Sequence, residues 1–378
     1  MTTTNNITVI GIGRLGICLA LCLEKAGYSV LGVDLSPEYI EQIRTKTLDS
    51  KEPNVTAYLK NSQHFQATTS LQEGLEFSDL CFIVVPTNTI QEIQTYDHSA
   101  LSRLLQEIND YSVSNKHFVI CSTVFPGYIE KTASQILANC KETTLNYNPE
   151  FIAQGNIIEG LENPDMVLIG EATKEAGDRI EQVYKRLCTK TSPAISRMSI
   201  ASAEITKLAV NCFITGKIAF ANLISDIADQ TEGADKNEIL AAIGKDQRIG
   251  SKNLAPGYGF GGPCFPRDNR ALGNYASLLG IEPLLFKATD EANHLHAEFM
   301  AKKILEKNLK EYIFDDVCYK PNCPVPIIEH SQKLLIAQKL ANQGKEVTIL
   351  DTEQVIQKVK QQYGNIFKYV TQQQIAPG

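Results

Sequence analysis

The segment that most constrains this fold is residues 7–34. A β-branched run at 7–10 leads into Gly11-Ile12-Gly13-Arg14-Leu15-Gly16. A helical pattern follows at 15–26, then a second strand pattern at 29–33 that ends on Asp34. Strand, turn, helix and strand in this order make a parallel βαβ unit, because parallel neighbours need a crossover that packs back onto the sheet. The glycines permit a tight turn and let backbone approach a pyrophosphate, which the positive helix end attracts. Asp34 is placed to accept hydrogen bonds from ribose hydroxyls and to repel the extra phosphate of NADP. NAD is therefore the expected cofactor, although the glycine turn alone also suits FAD or another nucleotide. Gly170 starts a second strand-to-helix turn without the triplet spacing and reads as structural.

The same alternation continues, with strands at 80–85, 118–121 and 166–169 and helices at 37–44, 101–108, 128–138 and 174–187. The fold class is α/β, and residues 1–196 form a Rossmann-type, doubly wound domain. From Ile200 a long apolar helical stretch runs to about Asp229, followed by a shorter helix, a Gly/Pro-rich segment at 254–266 and more helix over 267–310. This makes 197–310 a central helical domain. Residues 311–378 return to an α/β pattern, with a strand at 316–319, a helix at 330–341 and a strand at 346–350; this last domain is smaller and expected to be trimmed. A chain of 378 residues needs more than one core, and its 43% hydrophobic and 21% charged residues are ordinary for a globular protein.

A formal net charge of −7 argues against nucleic acid or an anionic membrane as partner, though not against a small anion bound locally. The longest apolar stretch is interrupted by Glu204 and Lys207, so no membrane span is expected. Residues 1–6 are polar and lack a basic region, so no export signal is expected either. Without one, the ten scattered cysteines read as reduced thiols of a cytoplasmic protein. Cys318 and Cys323 are an isolated pair with no second pair nearby, so no metal is expected.

The second informative segment is Gly257-Tyr258-Gly259-Phe260-Gly261-Gly262-Pro263-Cys264-Phe265-Pro266-Arg267-Asp268. Such a run is irregular backbone that wraps a ligand and presents one side chain. Cys264 precedes a helix start marked by Pro266, and the helix dipole and Arg267 both favour its thiolate. Asp268 is placed to act as a base or to hold a water. Cys18, Cys22, Cys81 and Cys212 read instead as small buried hydrophobes. Lys207 and Asn211, four residues apart, share one face of the long helix. There they suit an oxyanion, and they equally suit a polar seam between domains. Thr123 and Glu150 each follow a strand, at the carboxyl edge where open α/β sheets bind ligands.

Together these segments resemble the UDP-glucose/GDP-mannose dehydrogenase family. The resemblance rests on the glycine turn, Cys121-Ser122-Thr123-Val124, Asn148-Pro149-Glu150-Phe151, and Ala203-Glu204-Ile205-Thr206-Lys207-Leu208-Ala209-Val210-Asn211. Arg248-Ile249-Gly250, the Cys264 loop and Tyr319-Lys320-Pro321-Asn322 extend it over nearly the whole chain. It implies an NAD-dependent, four-electron oxidation of a nucleotide sugar C6 alcohol to a uronic acid, through a thiohemiacetal and a thioester on Cys264. UDP-glucose leads among substrates, with GDP-mannose and UDP-N-acetylhexosamines as alternatives. In this reading Lys207 and Asn211 stabilise oxyanions, Asp268 with Thr123 moves protons through water, and Glu150 assists hydrolysis.

The resemblance places NAD against Gly11, Ile12, Gly13, Arg14, Leu15, Gly16, Asp34, Pro86, Thr87, Thr123, Gln154 and Arg267. It places the nucleotide sugar against Glu150, Phe151, Lys207, Asn211, Tyr258, Gly259, Phe260, Gly261 and Lys320, with Arg248 reaching the neighbouring subunit of a homodimer. The chain departs from the family pattern where Gln154 replaces a glutamate and Ile327 an arginine. Asp315 and Asp316 stand near an expected glycine. Two other readings stay open. A β-hydroxyacid dehydrogenase shares the glycine turn and the Lys–Asn pair but needs no cysteine, and a nucleotide-binding protein without activity would keep only the fold.

Overall fold

Strands covered on both faces need near-continuous apolar runs, and the first third of the chain supplies them in register. The computed structural model describes residues 5–90, 95–152, 154–188 and 192–372. Residues 1–4 of the expected polar start and 373–378 of the expected C-terminal domain lie outside this range. The chain divides into two units, Met1–Lys207 and Leu208–Gly378.

The N-terminal unit holds an eight-stranded sheet. Its spatial order is Ala194–Met198, Met166–Gly170, Thr144–Tyr147, His117–Ile120, Leu80–Ile83, Asn6–Ile10, Ser29–Val33, Phe65–Thr68. All neighbours run parallel except Thr144–Tyr147 against Met166–Gly170. The chain begins mid-sheet, moves outward through Ser29–Val33 and Phe65–Thr68, then returns to Leu80–Ile83 on the other side of its first strand. That reversal sets the topological switch point at the carboxyl ends of Asn6–Ile10 and Leu80–Ile83, where doubly wound sheets bind ligands. One face of the sheet packs Val9, Phe82 and Val119 with Leu19 and Leu23 of helix Arg14–Lys25. The opposite face packs Ile10, Ile83 and Ile120 with Leu101 and Leu105 of helix Ser99–Asp110.

The unit boundary falls inside helix Ile200–Asp229, which has 30 residues. Its most apolar window has a mean hydropathy of 1.4, so by length and composition it is long enough to cross a membrane. This corrects the expectation drawn from Glu204 and Lys207, which break only its first turns. The helix nevertheless buries Glu204, Lys207, Asn211, Thr215, Asn222 and Ser225, a polar series suited to packing against protein.

In the C-terminal unit, helices Lys236–Gly244, Phe265–Leu278 and Leu284–Glu306 precede a three-stranded parallel sheet. Its strands are Tyr312–Asp315, Val347–Asp351 and Lys368–Thr371, with helices Gln332–Asn342 and Glu353–Tyr363 between them. Phe314, Leu334, Ile349 and Val355 centre its core. The strand expected at 316–319 lies earlier because Tyr312 and Phe314 supply the buried alternation, and Asp316 turns away with φ +45°. The helical stretch over 267–310 is two helices, parted at Gly280 (φ +76°). The helix expected at 128–138 opens as a π-helical turn, Ile129–Ala133, followed by Ser134–Ile136. Strands Phe65–Thr68, Thr144–Tyr147 and Ala194–Met198 were not anticipated; the first two mix polar side chains among few apolar ones.

Glu204 fastens that π-helical turn. Its carboxylate accepts hydrogen bonds from the amides of Gly127 (2.6 Å) and Ile129 (3.0 Å) while fully buried. Glu204→Ala strands both amides and is expected to cost about 2–3 kcal/mol in urea unfolding. Glu204→Gln, which keeps one acceptor oxygen, should cost clearly less.

Candidate active site

Three glycines do three different jobs in the turn after Asn6–Ile10. Gly11 has φ +86°, and a Cβ there would meet the Val84 carbonyl oxygen at 2.5 Å. At Gly16 a Cβ would lie 1.9 Å from the Gly11 oxygen. At Gly13 a Cβ would meet nothing within 4 Å, so this glycine packs against no protein and leaves the helix start open. Helix Arg14–Lys25 has no side-chain cap and no acidic residue in its first turn. Its amides are thus available to an anion, as the pyrophosphate of NAD requires. Tyr39 donates to the Ile12 carbonyl (2.9 Å) and steadies the turn. Among the described residues Asp34 accepts a long hydrogen bond from the Ser36 amide (3.3 Å) and is half-buried, so it retains acceptor capacity for ribose hydroxyls. Arg14 donates to Gln154. These residues fit NAD.

The loop after His117–Ile120 carries Thr123, and three side chains hold it. Thr87 donates to the Thr123 carbonyl (2.7 Å), and Glu204 holds Gly127 and Ile129. His98 Nε2 accepts from the Phe125 amide (3.1 Å). Burial pushes His98 down to about 4, which keeps the ring neutral and this nitrogen an acceptor. Pro86, beside Thr87, is exposed.

Glu150 follows Thr144–Tyr147 and receives a hydrogen bond from the Tyr184 hydroxyl at 2.6 Å. Burial pushes its carboxyl from the ordinary 4.5 up to about 7, against the opposing pull of Tyr184 and Lys207. Lys207 donates to the Glu150 carbonyl (2.7 Å), and its Nζ lies 4.5 Å from the centre of the Phe151 ring. Sequence reasoning missed Tyr184, His98 and the anchoring role of Glu204. Only Glu204 had a signal, as a carboxylate within an apolar helical run.

In the C-terminal unit Cys264 is exposed and caps helix Phe265–Leu278, with Pro266 in the first turn. Arg267 Nη2 lies 4.0 Å from its sulfur. Asp268, fully buried, accepts from Asn211 (2.7 Å) and from Arg267 Nε (3.2 Å). Cys81 and Cys212, read as hydrophobes, differ as expected: burial pushes each up to about 12. Cys18 and Cys22 are also raised by burial.

The Gly-rich loop is tightly packed. A Cβ at Gly259 would meet Asn293 Oδ1 at 2.2 Å, one at Gly261 the His330 carbonyl at 2.2 Å, and one at Gly262 (φ +82°) the Tyr319 ring at 2.4 Å. Tyr258 lines a cavity of about 200 Å³ with Lys307, Tyr312, Phe314 and Lys333. This is below the roughly 300–1,000 Å³ of ligand pockets, and Gly259, Phe260, Gly261 and Lys320 are not among its walls. Arg248 is exposed and paired with Asp246 (2.6 Å). Lys320 lies over Tyr319, 5.8 Å from its ring centre. Ile327 is buried and offers no charge at the position where the resemblance implies an arginine. No group of three His, Cys, Asp or Glu among the described residues is arranged to hold a metal ion.

Residues 5–188 match the NAD-binding domain of the UDP-glucose/GDP-mannose dehydrogenase family, and residues 201–295 match its central domain. The chain is similar to a UDP-glucose 6-dehydrogenase of Haloferax volcanii, with 27% identity across 91% of this chain and 83% of the relative. It is similar to a GDP-mannose 6-dehydrogenase of Pseudomonas aeruginosa, with 28% identity across 91% and 80%. Among solved structures, a UDP-glucose dehydrogenase from Pyrobaculum islandicum superposes with a TM-score of 0.85 at 26% identity, covering 98% of this chain and 86% of that one. With the NAD-binding turn and both family domains present, the chain belongs to the UDP-glucose/GDP-mannose dehydrogenase family and is an NAD-dependent nucleotide-sugar dehydrogenase.

Proposed function

We propose that this enzyme oxidises the C6 alcohol of UDP-glucose to the carboxylate of UDP-glucuronate through a thioester on Cys264. The observation that carries this reading is the setting of Cys264, an exposed thiol at a helix N-terminus beside Arg267 and ahead of the buried Asp268. A simple alcohol dehydrogenase needs no nucleophile there. GDP-mannose is the second reading, because the Pseudomonas relative is similar to the same degree.

The first oxidation removes a hydride from C6 and a proton from its oxygen, leaving an aldehyde. The sulfur of Cys264 adds to the aldehyde carbon and the oxygen takes up a proton, giving a thiohemiacetal whose carbon still carries hydrogen. Loss of that hydrogen as hydride, with the hydroxyl proton, leaves a thioester. Water then breaks the C–S bond, releasing the acid and returning the thiol. NAD, when bound, accepts the hydride in each oxidation.

In this scheme Arg267 and the helix dipole favour the thiolate. Lys207 and Asn211 stabilise developing oxyanions, Asp268 takes up and returns protons, and Thr123 orders water. Glu150 acts as the base for hydrolysis, a role suited to a carboxyl held near 7. Phe151, Arg248, Tyr258 to Gly261 and Lys320 are assigned to the nucleotide sugar, with residues 311–378 as its nucleotide-binding domain. A homodimer is supported by Phe213, Phe220, Leu223 and Ile227, a stripe of exposed apolar side chains on one helix, with Phe213 73% exposed. Ten cysteines, none of them in a disulfide among the described residues, support a reducing, cytoplasmic setting.

The deciding assay counts NADH and acid together, with UDP-glucose, GDP-mannose and UDP-N-acetylhexosamines each supplied. The expected result is two NADH per UDP-glucuronate, and acid formation in Cys264→Ala lower by at least about a thousandfold. One NADH per turnover, indifferent to that change, would sink the thioester route.

A second prediction follows from Glu150. Below about pH 7 it is protonated and cannot serve as a base, so hydrolysis should slow about tenfold per pH unit. Rapid mixing should show a burst of NADH before a slow steady phase at low pH, and Glu150→Gln should show that burst at every pH. The same raised carboxyl has a stability consequence of fixed sign. Its contribution is fully present below about 4.5 and is lost as pH rises through about 7.

A further inference from the structure

The Gly-rich loop has no regular structure, yet side chains of three helices in its own unit hold its backbone. Asn222 accepts from the Gly257 amide and donates to the Tyr258 carbonyl, both at 3.2 Å. Asn293 accepts from the Phe260 amide (2.8 Å) and donates to the Phe260 carbonyl (3.0 Å), which Gln332 also reaches at 3.0 Å. These are neutral amide contacts, satisfied at any ordinary pH.

His296 differs. Its Nε2 lies 2.8 Å from the Gly257 carbonyl oxygen, and its Nδ1 lies 2.9 and 3.0 Å from the two oxygens of Asp226. A backbone carbonyl and a carboxylate both accept only. A neutral imidazole has a single N–H, so it can serve one of them and must turn a lone pair on the other. The ring is 5% exposed, so bulk water is not at hand to relieve that conflict. Both contacts are satisfied when both ring nitrogens carry hydrogen and Asp226 balances the charge.

We propose that His296, as an imidazolium held by Asp226, is a positioning residue that fixes the Gly257 carbonyl and thereby the Tyr258–Gly262 backbone for the nucleotide sugar. The inference rests on the assignment of this loop to that substrate. The surrounding charges leave Asp226 to His296. On the same helix Asp229 is taken by Lys236 (3.0 Å), from helix Lys236–Gly244, and by Lys303 (2.8 Å), from the helix that carries His296. Between Gly257 and Pro263 the loop brings no formal charge, only the Tyr258 phenol, which burial pushes up. His294 and Glu298, also on the His296 helix, pair with each other at the surface.

The protein has six histidines, so the full chain labelled with nitrogen-15 histidine gives a readable spectrum. The signals lost in His296→Gln identify this ring. Near pH 7 both of its nitrogens should carry protons, and a single ring proton there overturns the proposal, whether or not the enzyme turns over any nucleotide sugar. Kinetics supply the functional arm. In His296→Gln the KM for UDP-glucose should rise about tenfold, with the KM for NAD unmoved. Asp226→Asn, which loosens the hold on the ring, should raise the same KM and leave the KM for NAD unmoved. Wild-type and His296→Gln curves that superimpose, with equal thermal unfolding, also overturn it. If no nucleotide sugar is oxidised, the proposed function fails while the spectrum still decides the state of His296.

Discussion

A buried polar group must find a partner, and along helix Ile200–Asp229 that requirement organises both units. Glu204 holds the loop that carries Thr123, and Lys207 holds the chain at Glu150. Asn211 holds Asp268, and Asn222 holds the start of the Gly-rich loop. Each of these side chains meets a segment of its own unit. An apolar helix of this length would pack well without them. Their presence converts a core element into a scaffold that sets the backbone of several functional loops.

The same logic separates the carboxyl groups of Glu150, in one unit, and Asp268, in the other. Glu150 has one phenol to bind and little water, so it is pushed toward neutral pH. Asp268, fully buried, has an amide and a guanidinium as direct partners. Environment, rather than residue type, therefore sets these two carboxyl groups apart. Cys264 and its buried counterparts differ in the same way, since exposure at a helix start and burial in a core are opposite settings for a thiol.

Much of this was legible in the sequence, wherever the chemistry is local. The glycine turn, Asp34 and the Cys264 loop act through backbone conformation and short spacings, so a linear reading finds them. The strand at Phe65–Thr68 was missed because its place in the sheet comes from pairing with Ser29–Val33, not from its own composition. Tyr184 resembles any core aromatic on a helix, and only the fold brings its hydroxyl to Glu150. The shift of the expected strand from 316–319 to Tyr312–Asp315 arises because one aromatic alternation outweighs the β-branched and aromatic content of the following turn.

The three glycines of the cofactor turn are unequal in a way useful to an experimenter. Side chains at positions 11 and 16 collide with the protein's own backbone, so their loss damages the scaffold. A methyl at Gly13 collides with nothing of the protein and occupies only the space above the helix start. Position 13 is therefore a natural place to obtain a folded, cofactor-blind allele, in which the scaffold roles of this enzyme can be separated from its redox chemistry.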